Sequence, residues 1–226
     1  GRPWTWSERE ATAVYLSRHG YRFYHFAPKA DLFLRRRWAE PHPAEDAAGL
    51  ESLSRTCRAH GVRFGVGLSP YEIYRDFNDD VRAALQRKLA FLDEIGIDDL
   101  AILFDDMRGD FPDLSACLIP PSKFCGLARK LGRKPFIWDN YPVNDGPRMS
   151  QFLHLRAFTG RPAIMGAHVA AHGVNPASQP VLSLIPALTL VDAYAQGDAY
   201  QYGASLAAAA EAVLGKDLAH ALVNDV

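Results

Sequence analysis

Apolar and polar positions along the chain follow two alternating patterns, one typical of helices and one typical of strands. Amphipathic segments are followed repeatedly by short, mostly apolar runs. The pattern predicts helices over about 7–20, 44–60, 78–95 and 122–131, and from 180 onwards with breaks near Gly197 and Gly203. It predicts strands over 21–28, 62–70, 100–106, 135–139 and 163–169. Such alternation is typical of parallel strands joined by helical crossovers.

Capping residues and composition predict further detail. Ser7 and Glu10 have the spacing of a capping box, so the first helix is expected to begin there. The segment 181–226 is rich in Ala and Leu and is expected to form a C-terminal helical extension. We expect this extension to pack on a larger domain formed by residues 1–180.

Composition and charge exclude several classes of protein. The chain has 25 Lys and Arg residues against 26 Asp and Glu residues, which gives a net charge of -1. It therefore lacks the excess of positive charge that is typical of nucleic-acid-binding proteins. No apolar run approaches the roughly 18 residues that a membrane span needs. The three cysteines, Cys57, Cys117 and Cys125, match neither a zinc pattern nor a disulfide scaffold. This favours a cytoplasmic setting and leaves secretion open.

Two adjacent carboxylates carry the clearest chemical signal in the sequence. Asp105 and Asp106 end the third predicted strand, and functional groups of parallel α/β folds gather at such ends. Because the two charges repel each other, one carboxyl retains its proton to higher pH. A protonated acid beside an ionised carboxylate suits the cleavage of an acetal. A solvated strand end is the alternative interpretation.

Other polar residues follow the remaining predicted strands. Trp138, Asn140 and Asp145 suit a sugar site, because an aromatic ring can cover a sugar face while short polar side chains bind hydroxyls. The alternative is a core tryptophan followed by a turn. Lys29 follows the first strand and Asn175 follows the fifth. A lone lysine in such a place is usually a solvated surface charge.

No cofactor or metal site is expected from the motifs. His168 and His172 have the helical spacing of a metal pair, but their surroundings are strand-like. The sequence has no Gly-rich phosphate loop and no nucleophile elbow. A metal-dependent hydrolase using Asp105, Asp106 and Asp139 is an alternative, although hard cations need more oxygen ligands than this set offers.

Six short segments occur in an order found in one enzyme family. They are GRPWTWSER (1–9), FAPKAD (26–31), LSP (68–70), ILFDDM (102–107), FIWDNYPVND (136–145) and NPASQP (175–180). In this order they resemble glycoside hydrolase family 84, the β-N-acetylglucosaminidases that include O-GlcNAc hydrolases and enzymes described as hyaluronidases. The resemblance covers nearly the whole chain, including its helical tail.

The resemblance implies a (β/α)8 TIM-type barrel and a retaining hydrolysis of β-linked N-acetylglucosamine. In that reaction the substrate's own acetamido oxygen is the nucleophile and an oxazoline forms. Asp105 would orient and polarise the acetamido group, and Asp106 would be the general acid and then the base. Asp139 lies in the same motif but is not one of the usual substrate contacts.

The resemblance also implies a binding set and partners. Lys29 would bind the sugar or its acetamido region, and Trp138 would line the pocket. Asn140 would bind near the N-acetyl group, while Asp145 and Asn175 would hold sugar hydroxyls. The implied partner is a glycoside or glycoprotein containing N-acetylglucosamine, without a cofactor, and a homodimer stays open.

The sequence departs from the family pattern in two places. It starts at the last glycine of the Gly-Phe-Tyr-Gly segment that ends the family's first strand, so the preceding glycine contact is missing. Between Ala116 and Lys123 the family carries two further βα units, with a tyrosine that stabilises the oxazoline. The predicted barrel therefore lacks its first, fifth and sixth strands, with a missing segment near 116–123.

Two explanations of this shortfall stay open. Either the sequence omits segments of the molecule, which we favour because the retained motifs are undegraded, or a shortened barrel pairs with another chain. The missing glycine and tyrosine also keep an alternative function open, that of a catalytically inactive GlcNAc-binding relic of the family.

Overall fold

The described residues belong to two compact units. The computed structural model describes residues 3–73, 76–103 and 134–225. The N-terminal unit lies within Thr5–Ala116, and the C-terminal unit combines Gly1–Trp4 with Cys117–Val226. The predicted division into 1–180 and 181–226 stays a prediction.

The N-terminal unit is a parallel α/β unit. Its helices are α1 (Trp6–Ser17), α2 (Ala44–Ala59) and α3 (Asp79–Glu94), and its strands are β1 (Phe23–Phe26), β2 (Arg63–Leu68) and β3 (Asp99–Ile102). The strands pair in parallel in the order β1-β2-β3. The predicted alternation of strands and helices is confirmed here, whereas closure into a barrel stays a prediction.

The C-terminal unit contains a parallel pair of strands followed by three helices. Strand β4 (Phe136–Asp139) pairs with β5 (Ala171–Val174), and the helices are α4 (Pro180–Gln196), α5 (Tyr202–Leu214) and α6 (Lys216–Asp225). Within the ranges that the structure describes, none of the helices combines the length and apolar character needed to cross a bilayer.

The predicted strand over 163–169 is wrong. Ala163–Ala167 forms a 3₁₀ helix, in which Met165 N donates to Pro162 O at 2.9 Å and His168 N donates to Met165 O at 2.9 Å. Strand β5 lies further along the chain. A short apolar run does not distinguish a strand from a helical turn, because both can bury it.

Two helix boundaries also differ from the predictions. Helix α1 is capped by Thr5 instead of Ser7, since Thr5 Oγ1 accepts a bond from Glu8 N at 3.2 Å and Thr5 N donates to Glu8 Oε2 at 2.7 Å. The break at Gly197 is confirmed, and its φ of 57° suits glycine. Gly203 lies inside α5 and does not end a helix.

The core of the N-terminal unit joins one side of α2 to β2. Leu50, Leu53 and Cys57 recur at helical spacing and are fully buried together with Phe64 and Val66. Burial raises the pKa of the Cys57 thiol to about 12, so this cysteine is a core residue and not a nucleophile.

Helix α1 packs on this core through Trp6. The indole stacks on Phe26 with ring centroids 5.4 Å apart, and it lies directly against Gly49 of α2. A Cβ atom at Gly49 would overlap the indole, so this position requires glycine for close approach, not for its backbone angles.

We expect Gly49→Ala to lower the free energy of unfolding by about 1–3 kcal/mol, because the added methyl group displaces a packed indole. The measurement is urea unfolding followed by tryptophan fluorescence. The matched control is Gly203→Ala in α5, where no atom lies within 4 Å of the added Cβ. That control should be neutral or slightly stabilising. Equal unfolding midpoints for Gly49→Ala and wild type would contradict this packing.

Candidate functional site

Residues at the carboxyl ends of β4 and β5 form the candidate site. The register pairs Trp138 with Gly173, and the ladder continues beyond the strands, where Asn175 N donates to Asp139 O at 2.8 Å. Side chains alternate between the two faces of a ladder, so Trp138, Asn140 and Asn175 emerge on one side. The side chain of Asp139 lies on the other side.

Asn140 and Asn175 meet directly, and we call them the asparagine pair. Asn175 Nδ2 donates a hydrogen bond to Asn140 Oδ1 at 2.9 Å. Asn140 is exposed and Asn175 is half-buried. Because this bond uses one acceptor and one donor hydrogen, Asn140 Nδ2 can still donate to a ligand and Asn175 Oδ1 can still accept. A hydroxyl or a secondary amide requires such a donor and acceptor.

Trp138 stands on the same side of the ladder and is 42% exposed. The interpretation of Trp138 as an enclosed core residue is therefore wrong. Its ring centroid lies 6.4 Å from that of Phe136, which is 45% exposed. Gly173 lies across the ladder, and a Cβ atom there would lie 2.9 Å from the Phe136 ring. Any other residue at this position would therefore force the ring to move. The result is an aromatic surface next to the asparagine pair.

A buried asparagine ties the loop after β4 to the loop after β5. Asn144 is 4% exposed, accepts a bond from Ser178 N at 2.8 Å and donates Nδ2 to Gln179 Oε1 at 3.0 Å. It also donates to Phe152 O at 3.2 Å. The neighbouring Asp145 is exposed. The two loops are thus joined both at the asparagine pair and at Asn144.

Behind the asparagine pair lies a buried carboxylate. Asp139 is 8% exposed and accepts bonds from Arg161 Nε and Nη2 at 2.9 and 3.0 Å. It also accepts from His172 Nε2 at 3.1 Å and from Tyr141 N at 3.0 Å. The hydroxyl of Tyr194 lies 2.8 Å from His172 Nδ1. We call Asp139, Arg161, His172 and Tyr194 the Asp139 cluster.

The electrostatics of the Asp139 cluster favour the ionised form of Asp139. Burial by itself raises the pKa of Asp139, but hydrogen bonds from His172, Arg161 and Tyr141 N outweigh it and hold the pKa well below its usual range. Both carboxylate oxygens are engaged, which argues against Asp139 as a metal ligand. Among the residues that the structure describes, no group of three or more His, Cys, Asp or Glu could hold a metal ion.

Sequence reasoning missed three members of the Asp139 cluster. His172 lies on a strand and not on a helix, so the spacing to His168 has no bearing on its role. Arg161 precedes β5 and Tyr194 lies on α4, and neither belongs to a motif. The register of β4 against β5 brings His172 to Asp139, whereas Arg161 and Tyr194 reach the cluster from the loop before β5 and from α4. A single sequence contains no signal for these tertiary contacts.

Lys29 belongs to the N-terminal unit, where it is exposed just after β1. Two residues later, Asp31 Oδ1 accepts bonds from Phe33 N at 2.8 Å and Leu34 N at 3.1 Å, which caps a short 3₁₀ helix. Asp31 Oδ2 lies 3.5 Å from His42 Nε2. The segment that carries Lys29 is therefore anchored at its start.

A buried lysine anchors the end of the same segment. Lys88 of α3 donates Nζ to Glu40 O at 2.6 Å and lies 3.3 Å from His42 Nδ1. Burial lowers the pKa of Lys88, while the charges of Asp31 and Glu40 oppose that shift. The exposed Lys29 thus projects from a segment held by buried polar groups.

The structure brings together part of the predicted site. Asn140 and Asn175 are in contact, Trp138 shares their side of the ladder, and Asp145 lies in the same unit. Asp105 and Asp106 lie outside the described residues. The segment predicted as a helix over 122–131 lies outside them as well.

Comparison with known proteins gives a consistent result along nearly the whole chain. A sequence profile for β-N-acetylglucosaminidases matches residues 1–117 and 113–224. These two matched stretches overlap at residues 113–117, next to the segment 116–123 where the sequence analysis places missing βα units.

Curated relatives and solved structures agree with that match. The proteins named Protein O-GlcNAcase from Rattus norvegicus and from Mus musculus are each 31% identical over 107 residues, which is 47% of this chain and 12% of theirs. An O-GlcNAc hydrolase from Thermobaculum terrenum, solved as a point mutant, superposes with a TM-score of 0.85 at 22% identity. That superposition covers 98% of this chain and 63% of the other, and it shows a shared fold.

We expect Asp139→Asn to lower the free energy of unfolding at pH 7 by about 3–5 kcal/mol, because it leaves the Arg161 charge without its partner. The pKa of Asp139 is lower in the folded chain than in the unfolded chain. Its stabilisation is therefore complete above the unfolded pKa of about 3.9 and is lost as the pH falls below that value.

Denaturant unfolding from pH 7 to pH 2 measures this effect, and the difference between wild type and variant should shrink below about pH 4. The matched control is Asp99→Asn, which removes the solvent-exposed ion pair with Arg63. The control should have a much smaller effect. Equal losses for the two variants would contradict the role assigned to Asp139.

Proposed function

Because the chain belongs to the β-N-acetylglucosaminidase family, we propose that it hydrolyses β-linked N-acetylglucosamine from a glycoside or glycoprotein. The observation that carries the proposal is the asparagine pair beside the exposed ring of Trp138, at the carboxyl ends of two parallel strands. Active sites of α/β folds occupy this edge.

We propose the following binding roles for the described residues. Trp138 stacks on the apolar face of the sugar ring, and Asn140 bonds near its N-acetyl group. Asn175 and Asp145 bind sugar hydroxyls, and Lys29 binds the sugar or its acetamido region. The donor and acceptor left on the asparagine pair support this assignment, because N-acetylglucosamine carries both hydroxyls and a secondary amide.

The proposed reaction runs in two steps through an oxazoline. The acetamido carbonyl oxygen attacks C1 and the glycosidic C1–O bond breaks, while Asp106 gives its proton to the leaving oxygen. Asp105 accepts a hydrogen bond from the acetamido N–H group and stabilises the positive charge that develops there. Asp106 then takes a proton from water. The water oxygen attacks C1, and the bond from C1 to the acetamido oxygen breaks, which opens the oxazoline ring. Two inversions at C1 give net retention.

The second candidate function is a GlcNAc-binding protein without turnover. It is favoured by a departure of the sequence from the family pattern near 116–123, where the tyrosine that stabilises the oxazoline is missing. Both candidates predict ligand binding at the asparagine pair, and only hydrolysis distinguishes them. Release of 4-methylumbelliferone from its β-N-acetylglucosaminide is the direct measurement.

We expect Asp106→Asn to abolish most cleavage of substrates with poor leaving groups and to spare activated aryl glycosides, because only poor leaving groups need a proton. Asp105→Ala should reduce turnover of every N-acetyl substrate, whatever the leaving group. The measurement is kcat/KM over a series of aryl leaving groups. The control is Asp93→Asn on the exposed surface of α3. Equal losses over the whole series would remove Asp106 from the role of general acid.

Replacement of the substrate's N-acetyl group by a hydroxyl should eliminate turnover, because the proposed nucleophile is part of that group. The same aryl leaving group in both substrates provides the control. Hydrolysis of the hydroxyl analogue at a comparable kcat/KM would rule out substrate assistance.

A further inference from the structure

Asp139 bonds to the main chain of Asn175 and to that of Tyr141, the residue after Asn140. Its carboxylate accepts from Tyr141 N at 3.0 Å, which closes a turn around Asn140. Its carbonyl oxygen accepts from Asn175 N at 2.8 Å. The geometry of the asparagine pair therefore depends on where Asp139 is held.

Two side chains hold the carboxylate of Asp139, and a third bonds to one of them. Arg161 forms a two-pronged ion pair with it, and the same guanidinium donates Nη1 to Thr159 O at 2.8 Å. His172 donates from Nε2, because an ionised carboxylate only accepts. Nδ1 of the same ring lies 2.8 Å from the Tyr194 hydroxyl, and this second hydrogen bond fixes the ring's orientation.

The position of each group suits support and not direct contact with a ligand. His172 has a side-chain exposure of 6% and Asp139 of 8%, and both lie on the side of the ladder opposite the asparagine pair. A buried carboxylate that served only stability could be replaced by packed apolar groups at little cost. Here the carboxylate bonds to Tyr141 N in the loop that carries Asn140, and the carbonyl of the same residue bonds to Asn175 N.

We propose that Arg161, His172 and Tyr194 are positioning residues that act through Asp139 to hold the asparagine pair ready for its ligand. Side chains that are already ordered lose less conformational entropy on binding, so affinity and turnover rise. The ligand named here, N-acetylglucosamine, rests on the proposed function, whereas the positioning itself does not.

The first test measures positioning without any ligand. Hydrogen exchange of the Tyr141 and Asn175 main-chain amides is compared by NMR in wild type, His172→Leu and His172→Gln. Gln keeps a donor for Asp139 and a second polar atom for the Tyr194 hydroxyl, whereas Leu has neither. We expect exchange to be about tenfold faster in His172→Leu and restored in His172→Gln. The control is Leu206→Ala in α5, which removes buried apolar volume elsewhere in the unit.

The second test is a kinetic cycle. His172→Leu should lower kcat/KM for the aryl N-acetylglucosaminide by about tenfold in the wild-type background. In a background that lacks the asparagine pair, Asn140→Ala with Asn175→Ala, it should have no further effect. A purely structural role would give equal losses in the two backgrounds. Should His172→Leu fail to fold, Tyr194→Phe removes one hydroxyl and takes its place in both tests.

The two tests separate the positioning from the proposed function. Exchange rates in His172→Leu that match those of Leu206→Ala would overturn the positioning, as would additive losses in the cycle. A wild-type protein that neither cleaves nor binds N-acetylglucosamine would overturn the proposed function alone. In that case the exchange rates still decide whether His172 holds the asparagine pair.

Discussion

A carboxylate taken out of water must be fully paired, and this requirement organises the C-terminal unit. Asp139 ends β4 in a buried position, where an unpaired charge would cost several kcal/mol. Its partners are Tyr141 N just after β4, Arg161 in a loop and His172 on β5, and His172 is bonded in turn to Tyr194 on α4. Satisfying one carboxylate therefore fixes where these elements meet, and it positions the amides of Asn140 and Asn175 on the other side of the ladder.

The N-terminal unit meets the same constraint with a cation. Lys88 is buried on α3, and its ammonium group bonds to the carbonyl of Glu40 and lies against His42. These contacts hold the end of the segment that follows β1, and Lys29 projects from that segment. In both units a buried charge organises a loop, while the residue with candidate chemistry stands exposed on it. Rigid support beneath exposed polar groups is what ligand binding requires.

Much of the local structure was predictable because it depends on neighbours in sequence. Hydrophobic periodicity located α2, α3 and the first strands within a few residues. The strand predicted over 163–169 was wrong, because its apolar residues suit a 3₁₀ turn equally well and only pairing with β4 selects Ala171–Val174. The cap of α1 was misplaced from Thr5 to Ser7 because both positions have an acidic residue three places further on. Closure of the strands into a barrel stays a prediction.

The candidate site divides in the same way. Trp138, Asn140 and Asn175 could be named from the sequence, since motifs in a fixed order and the ends of predicted strands both point to them. Family membership followed from the same motifs. The contact between the two asparagines, and the exposure of the tryptophan beside them, were decided by the tertiary structure. The tertiary structure also decided the role of His172. Its partner, Asp139, is 33 positions away in the sequence, and the register of two strands brings the two side chains to 3.1 Å.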